Sequence, residues 1–168
     1  IGLCLVGSEM CIRDRTVTDQ LWQSHLDGEP PALGIIPINE YNQCKWGCID
    51  IDIYNLDHKK LIQKIQKHNL PMVVFRSKSG GAHVFLFVKE FVSAKLMRIK
   101  LKAIADLLGY HSSEIFPKQD EVLVKEGHLG SFLNLPYHGG VKSMRYAMDD
   151  NGEALQLEDF IEVYDRVS

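Results

Sequence analysis

Two aspartates, Asp50 and Asp52, lie in "CIDIDIY" (Cys48 to Tyr54), a run that otherwise reads as a buried β-strand. An unpaired carboxylate inside a sheet is costly, so something must stand opposite them. Acids at i and i+2 on a strand point the same way, roughly 6–7 Å apart along the chain. That suits shared ligation of one or two hard cations. Mg²⁺ keeps waters and takes remaining ligands from substrate phosphates, so an open carboxylate cluster implies a phosphate-bearing substrate. D-x-D is also the pattern of two solvated acids on an exposed sheet face, and alone it decides nothing.

A second stretch, "RSKSGGAHVFLF", has phosphate-binding character. Gly80 and Gly81 let the backbone approach a ligand closely, and exposed amides in such a turn can cradle phosphate oxygens. Ser77 and Ser79 offer hydroxyls, Arg76 and Lys78 offer charge, and His83 can donate to a phosphate. The plainer alternative is an ordinary hairpin turn with a surface histidine. Further along, Lys118 could meet a phosphate, Asn134 a base or sugar, and Tyr137 or His138 could stack on a base. Equally, "FLNLP" could be a core strand and "YHGG" a turn.

The elements that must position these groups follow from periodicity. "LWQSHLD" is a possible short helix and "LGIIPI" a strand. "KWGCIDIDIY" is a strand with Ile49, Ile51 and Ile53 on one face and Asp50, Asp52 and Tyr54 on the other. Asn55 or Asp57 can cap a helix through "HKKLIQKIQKHN", whose stripe is Leu61, Ile62 and Ile65. "PMVVFRS" and "HVFLFVK" form a hairpin about the glycine turn. Met97, Leu101, Ile104 and Leu108 mark the clearest helix, with Gly109 where it should stop. "SEIFP", "SFLNLP" and "SMRYAMD" read as further strands, and "LQLEDFIEVYDRV" as a terminal helix.

From Trp46 to Pro117 the order is β-α-β-β-α-β, the split βαβ or ferredoxin-like arrangement of an α+β protein. In that fold the first strand is central, flanked by the third and fourth, both antiparallel to it. His83 opens the third strand, Glu114 opens the fourth, and Asp50 and Asp52 lie toward the end of the first. The expectation is one sheet face carrying three carboxylates and an imidazole, with a divalent metal between them.

At 168 residues the chain is expected to form one domain. Its 45% hydrophobic and 24% charged composition is ordinary for a globular protein. A net charge of −3 supplies no global basic field, so attraction to nucleic acid must come from local patches or bound metal. The run Lys95, Arg98, Lys100 and Lys102 reads as a solvated helix face, and Trp22 and Trp46 as core. Cys44 and Cys48 lack a second ligand pair, which argues against zinc and for reduced thiols in a cytoplasmic protein. No apolar stretch reaches the length of a membrane span. The chain opens on Ile and is expected to be a fragment; "LVGSEMCIRDR" resembles translated sequencing-adapter read-through. Residues 1–15, with Cys4 and Cys11, are therefore set apart from a domain at 16–168.

Taken together, these motifs resemble the archaeo-eukaryotic primase superfamily of primase–polymerases. Its pattern is D-x-D on a strand, then S-x-x-x-G-x-H or similar, then a third acid on a later strand. Here these read Asp50-Ile51-Asp52, then Ser77 to His83, then Glu114 in "EIFPKQ". "HLDGEPPALGIIPI" and "GSFLNLPYHGG" stand in the order seen in primase-like domains of phages, mobile elements and TOTE conflict systems, so the likeness covers about residues 21 to 150. The resemblance implies template-directed nucleotidyl transfer, a DNA primase or polymerase making primers or extending DNA on a single-stranded template. Asp50, Asp52 and Glu114 would hold Mg²⁺ or Mn²⁺, two ions by analogy. Ser79 and His83, with Ser77 and Lys78, would bind the nucleoside triphosphate. Relatives often carry a helicase or another accessory domain. The third acid is often Asp in the superfamily, which leaves Asp120 as an alternative to Glu114. Two other readings share the fold or the acids: a catalytically silent RRM-like nucleic-acid-binding module, and a metal-dependent phosphohydrolase or nucleotide cyclase.

Overall fold

The computed structural model describes residues 2–6, 18–30, 32–123 and 130–167. Along the chain these form β1 (Gly2–Val6), α1 (Asp19–Asp27), β2 (Ala32–Ile36), β3 (Gln43–Ile51), α2 (His58–Lys67) and β4 (Met72–Arg76). Then come β5 (Ala82–Ser93), α3 (Ala94–Leu108), β6 (Glu114–Phe116), β7 (Leu133–Asn134), a 3₁₀ turn (Gly140–Lys142) and α4 (Leu157–Val167).

Local chemistry sets the helix ends. Asp57 caps α2 by accepting from the Lys60 amide, and Ser93 caps α3 by accepting from the Leu96 amide. Gly109 ends α3 at φ +86°, a left-handed position that a Cβ disfavours. The buried faces of both helices are the stripes visible in the sequence: Leu61, Ile62 and Ile65 on α2, and Met97, Leu101, Ile104 and Leu108 on α3.

Strands β4-β5-β3-β6 form one antiparallel sheet in that spatial order, the ferredoxin-like order for β3-α2-β4-β5-α3-β6. Ile49, Ile51, Val84 and Leu86 face α2 and α3. The opposite face carries Cys48, Phe75 and Phe85, covered by Leu133, Tyr137 and Phe160 from the β7 region and α4. A second sheet, β1-β2-β7, flanks this core. Gly2–Val6, set apart in the sequence reading, lie antiparallel to β2 from Gly2 opposite Ile36 to Val6 opposite Ala32. An apolar run can complete a sheet edge whatever its origin.

Several expectations change. β3 begins at Gln43, two residues before the expected strand, and stops at Ile51, so Asp52, Ile53 and Tyr54 lie beyond the strand. Ile53 and Tyr54 are accordingly exposed. "SMRYAMD" forms no extended strand; Ala147 makes an isolated bridge to Phe75, and Arg76 N and Met148 N donate to Tyr146 O and Val74 O, both at 2.9 Å. "SFLNLP" contributes only Leu133–Asn134. Trp22 is 38% exposed rather than core, at the mouth of an apolar cavity of about 390 Å³ that Trp46 also lines. Residues 124–129 and Cys11 lie outside the described residues.

Cys44 and Cys48 are both buried free thiols, on opposite faces of β3. Residues four apart share a face in a regular strand, but pairing slips between Cys44 and Trp46, and the irregularity turns one thiol over. Burial pushes the Cys44 thiol up to about 11 and the Cys48 thiol well above its ordinary range. Among the described residues no helix is long and apolar enough to cross a membrane.

Candidate active site

The register of the main sheet places Asp50 opposite His83 of β5 on one side and opposite Glu114 of β6 on the other. Phe75 of β4 lies opposite His83, so Phe75, His83, Asp50 and Glu114 make one transverse row on one face. This row continues the face that carries Cys48 and Phe85, at the edge of its apolar cover. The site is thus built where aromatic packing gives way to polar side chains.

Each carboxylate has its own partner. His83 Nε2 stands 3.4 Å from Asp50 Oδ1, with the imidazole 11% exposed and the carboxylate 24%. Asp52 Oδ1 accepts from Ser79 Oγ at 3.0 Å, and Ser79 Oγ lies 3.1 Å from Ser77 Oγ. Glu114 Oε2 takes the Lys118 ammonium at 2.8 Å. Asp52 reaches the Ser77–Gly81 turn because β3 ends one residue before it, which frees its side chain from the strand's alternation.

That turn is tightly specified. Ser77 N donates to Gly81 O at 3.0 Å and Gly80 N donates to Ser77 O at 3.1 Å. A Cβ on Gly81 would stand 2.1 Å from the Ile51 carbonyl oxygen, so only glycine lets the turn close against the end of β3. His58, the first residue of α2, hydrogen-bonds the Gly81 carbonyl through Nε2 at 2.9 Å. His58 is not among the sequence-based candidates; its one cue was its place at the start of the helix that follows the acids.

The remaining candidates are distributed as follows. Lys78 is exposed on the turn, and Arg76 Nη1 donates to Met144 O at 3.2 Å, bracing the segment beside β4. Asp120 is paired with Arg98 of α3 and does not join the row, which leaves Glu114 as the third acid by position. Asn134 pairs with Gly34 across β2 and β7. Tyr137 is 5% exposed; its hydroxyl donates to Leu155 O at 3.1 Å and accepts from Ala147 N at 3.2 Å, so its ring packs in the core, beside the 390 Å³ apolar cavity. Burial pushes that phenol up to about 12. His138 Nε2 lies 3.4 Å from Glu29 O, its ring edge-on to His25. Lys95, Lys100 and Lys102 are exposed on α3, as a solvated helix face requires.

Asp50, Asp52 and Glu114, with Ile53 and the loop Gly109–Ser113, line an open cavity of about 530 Å³. Among the described residues, no three His, Cys, Asp or Glu side chains stand closely enough to hold one ion as they are arranged. In chemistry the donors fit: three hard oxygen ligands lining one open cavity suit Mg²⁺ or Mn²⁺. Glu114 would have to turn from Lys118 to join them.

The family model of the archaeo-eukaryotic primase domain of TOTE conflict systems matches residues 10–167. No curated protein matches the chain.

Proposed function

The chain belongs to the archaeo-eukaryotic primase domain family of TOTE conflict systems, and from that membership we propose that it is a metal-dependent nucleotidyltransferase, a primase–polymerase acting on a single-stranded DNA template. The observation that carries this reading is the row His83–Asp50–Glu114, with Asp52 beside it and hydrogen-bonded to Ser79. Acids and phosphate-binding groups are adjacent there, as phosphoryl transfer requires.

Asp50, Asp52 and Glu114 would hold Mg²⁺ or Mn²⁺, which when bound supplies charge neutralisation at the attacking and departing oxygens. Ser79, once its hydroxyl turns from Asp52, and His83 donate to the triphosphate oxygens of the incoming nucleotide, and Lys78 adds charge at the rim. Ser77 orients the Ser79 hydroxyl. The rigid Gly81 turn, pinned by His58, fixes those donors relative to β3. Catalysis in this scheme is positioning and electrostatics, with little covalent work for the protein.

A silent RRM-like module would display its aromatics on the open sheet face. Here Phe85 and Phe75 lie buried beneath Tyr137 and Phe160, and the row left at the edge is carboxylate and imidazole. The deciding experiment incubates the chain with labelled dNTPs or NTPs, a single-stranded template and Mn²⁺. Template-dependent products support the proposal. Binding without turnover favours the RRM-like module, and template-independent release or cyclisation favours a phosphohydrolase or cyclase.

A further inference from the structure

Helix α3 carries two apolar stripes. Met97, Leu101, Ile104 and Leu108 pack against the sheet. On the far side of the helix, Leu96, Ile99, Ala103 and Leu107 follow one another at helical spacing along the exposed surface. The three large ones are each more than half exposed. Single exposed aliphatics are ordinary, but three aligned over about 16 Å of one helix make a patch. Lys95 and Lys100 edge this stripe on its two sides, and among the described residues neither pairs with an acid. Arg98 and Lys102, on the adjoining surface, are already matched with Asp120 and Asp106.

The complement stands on the other side of the same sheet. Helix α4 turns Leu157, Phe160 and Val163 to the core and leaves Ile161 half exposed on its outer face. Glu158 and Asp165, one turn before and one turn after Ile161, flank it there, with Glu162 between them. Among the described residues, none of these three acids pairs with a basic side chain. Arg166, beside them, donates to the Glu162 carbonyl at 3.3 Å. α3 packs on one face of the main sheet and α4 on the opposite face. The two surfaces match in charge and in apolar content, yet one molecule cannot bring them together.

We infer that α3 of one copy of the chain docks on α4 of the next. Ile161 seats among Leu96, Ile99 and Leu107, while Lys95 and Lys100 meet Glu158, Glu162 and Asp165. The contact is head-to-tail. A pair formed this way leaves one α3 surface and one α4 surface unused, so growth continues beyond two copies. A contact one helix wide and about 16 Å long is smaller than the roughly 1,600 Å² of a standard stable interface. Association is therefore weak, and because its charges lie at the surface it is sensitive to salt.

Analytical ultracentrifugation over a concentration series at low salt tests this. The wild-type chain should gain mass with concentration past the dimer, and should return toward the monomer at about 0.5 M salt. Lys95→Glu/Lys100→Glu and Glu158→Lys/Glu162→Lys should each weaken association at least about tenfold, because like charges then face each other. Mixed in equal amounts, the two variants should associate again, since each supplies the charge that the other lacks. Ile99→Gln/Leu107→Gln should also weaken association, with charge unchanged and helix propensity kept. All these positions are exposed, so Tm should hold in every variant. If a charge reversal lowers Tm, the glutamine pair decides, and association as strong as wild type would then sink the proposal. A wild-type chain that stays monomeric at every concentration would leave the stripe to some other partner and overturn the self-contact. An assembly that stops at two copies and survives reversal of α4 would mean that α3 pairs with itself, which overturns it equally. So would two well-folded reversed variants that remain apart when mixed.

Discussion

Asp50 of β3 and His83 of β5 are direct cross-strand partners, with His83 Nε2 3.4 Å from Asp50 Oδ1. At that separation the pair makes an electrostatic contact, with the imidazole nearly buried and the carboxylate partly open to solvent. The same contact ties the acid strand to the strand that follows the serine–glycine turn. It is therefore the junction between the acid strand and the segment proposed to bind the nucleotide.

Replacing Asp50 or Asp52 by Ala should reduce template-dependent synthesis about 100-fold or more, in line with the loss of a group that acts on the transition state. The fold should persist, with Tm unchanged or slightly raised, because mutual repulsion between nearby carboxylates is relieved. Primer-extension rates and a thermal melt on the same preparations check both halves. A collapse in Tm would make the acids structural.

His83→Ala should act mainly on nucleotide affinity. A hydrogen bond to a charged group contributes about 1.5–3 kcal/mol, or roughly ten- to a hundredfold in KM for the incoming nucleotide. Ser79→Ala should move KM in the same direction but by less, since a neutral hydroxyl bond is weaker. Steady-state kinetics at saturating template separate KM from kcat; an unaltered KM in His83→Ala would remove the imidazole from the nucleotide site.

Much of this arrangement is legible in the sequence because it depends on local rules that survive packing. The α3 stripe and its Gly109 stop follow from spacing, and antiparallel pairing then brings His83 and Glu114 to Asp50. What is not legible depends on register and tertiary contact. The slip between Cys44 and Trp46 leaves no residue-type signature, yet it reverses a side chain. The end of β3 at Ile51, which lets Asp52 meet Ser79, runs against a pattern that reads as strand through Tyr54. Tyr137 reads as an exposed aromatic beside two glycines, and only the fold shows its hydroxyl bonded to Leu155 and Ala147. His58 acts on a carbonyl 23 residues away, a distance no spacing rule covers.

Gly81→Ala tests how rigidly the turn is held. The added methyl would meet the Ile51 carbonyl at 2.1 Å, a backbone atom that cannot rotate away. Overpacking of this kind destabilises by about 1–3 kcal/mol. Because the same shift displaces the Ser77–Gly81 turn that carries Ser79, nucleotide affinity should fall with stability. Chemical denaturation paired with nucleotide titration checks this; a stable variant with native affinity would mean that the turn can relocate freely.

His25 supplies a pH-dependent prediction away from the site. It is 1% exposed, Nδ1 accepts from the Leu33 amide at 3.1 Å, and Nε2 donates to Pro136 O at 2.8 Å, an arrangement that the neutral ring satisfies. Burial holds its pKa below the ordinary 6.5, opposed in part by the Pro136 hydrogen bond. Below pH 6.5 the unfolded chain therefore binds a proton that the folded chain resists. The stabilisation from a neutral His25 is full above that pH and is lost as pH falls toward the depressed folded-state value. His25→Phe should lower stability at every pH, because the Leu33 amide and the Pro136 carbonyl lose their partner, at about 1–3 kcal/mol for each group left buried and unpaired. It should also flatten the decline in acid. Denaturation midpoints from pH 8 to pH 5 for both proteins give the comparison, and parallel curves would show that His25 is not the group being titrated.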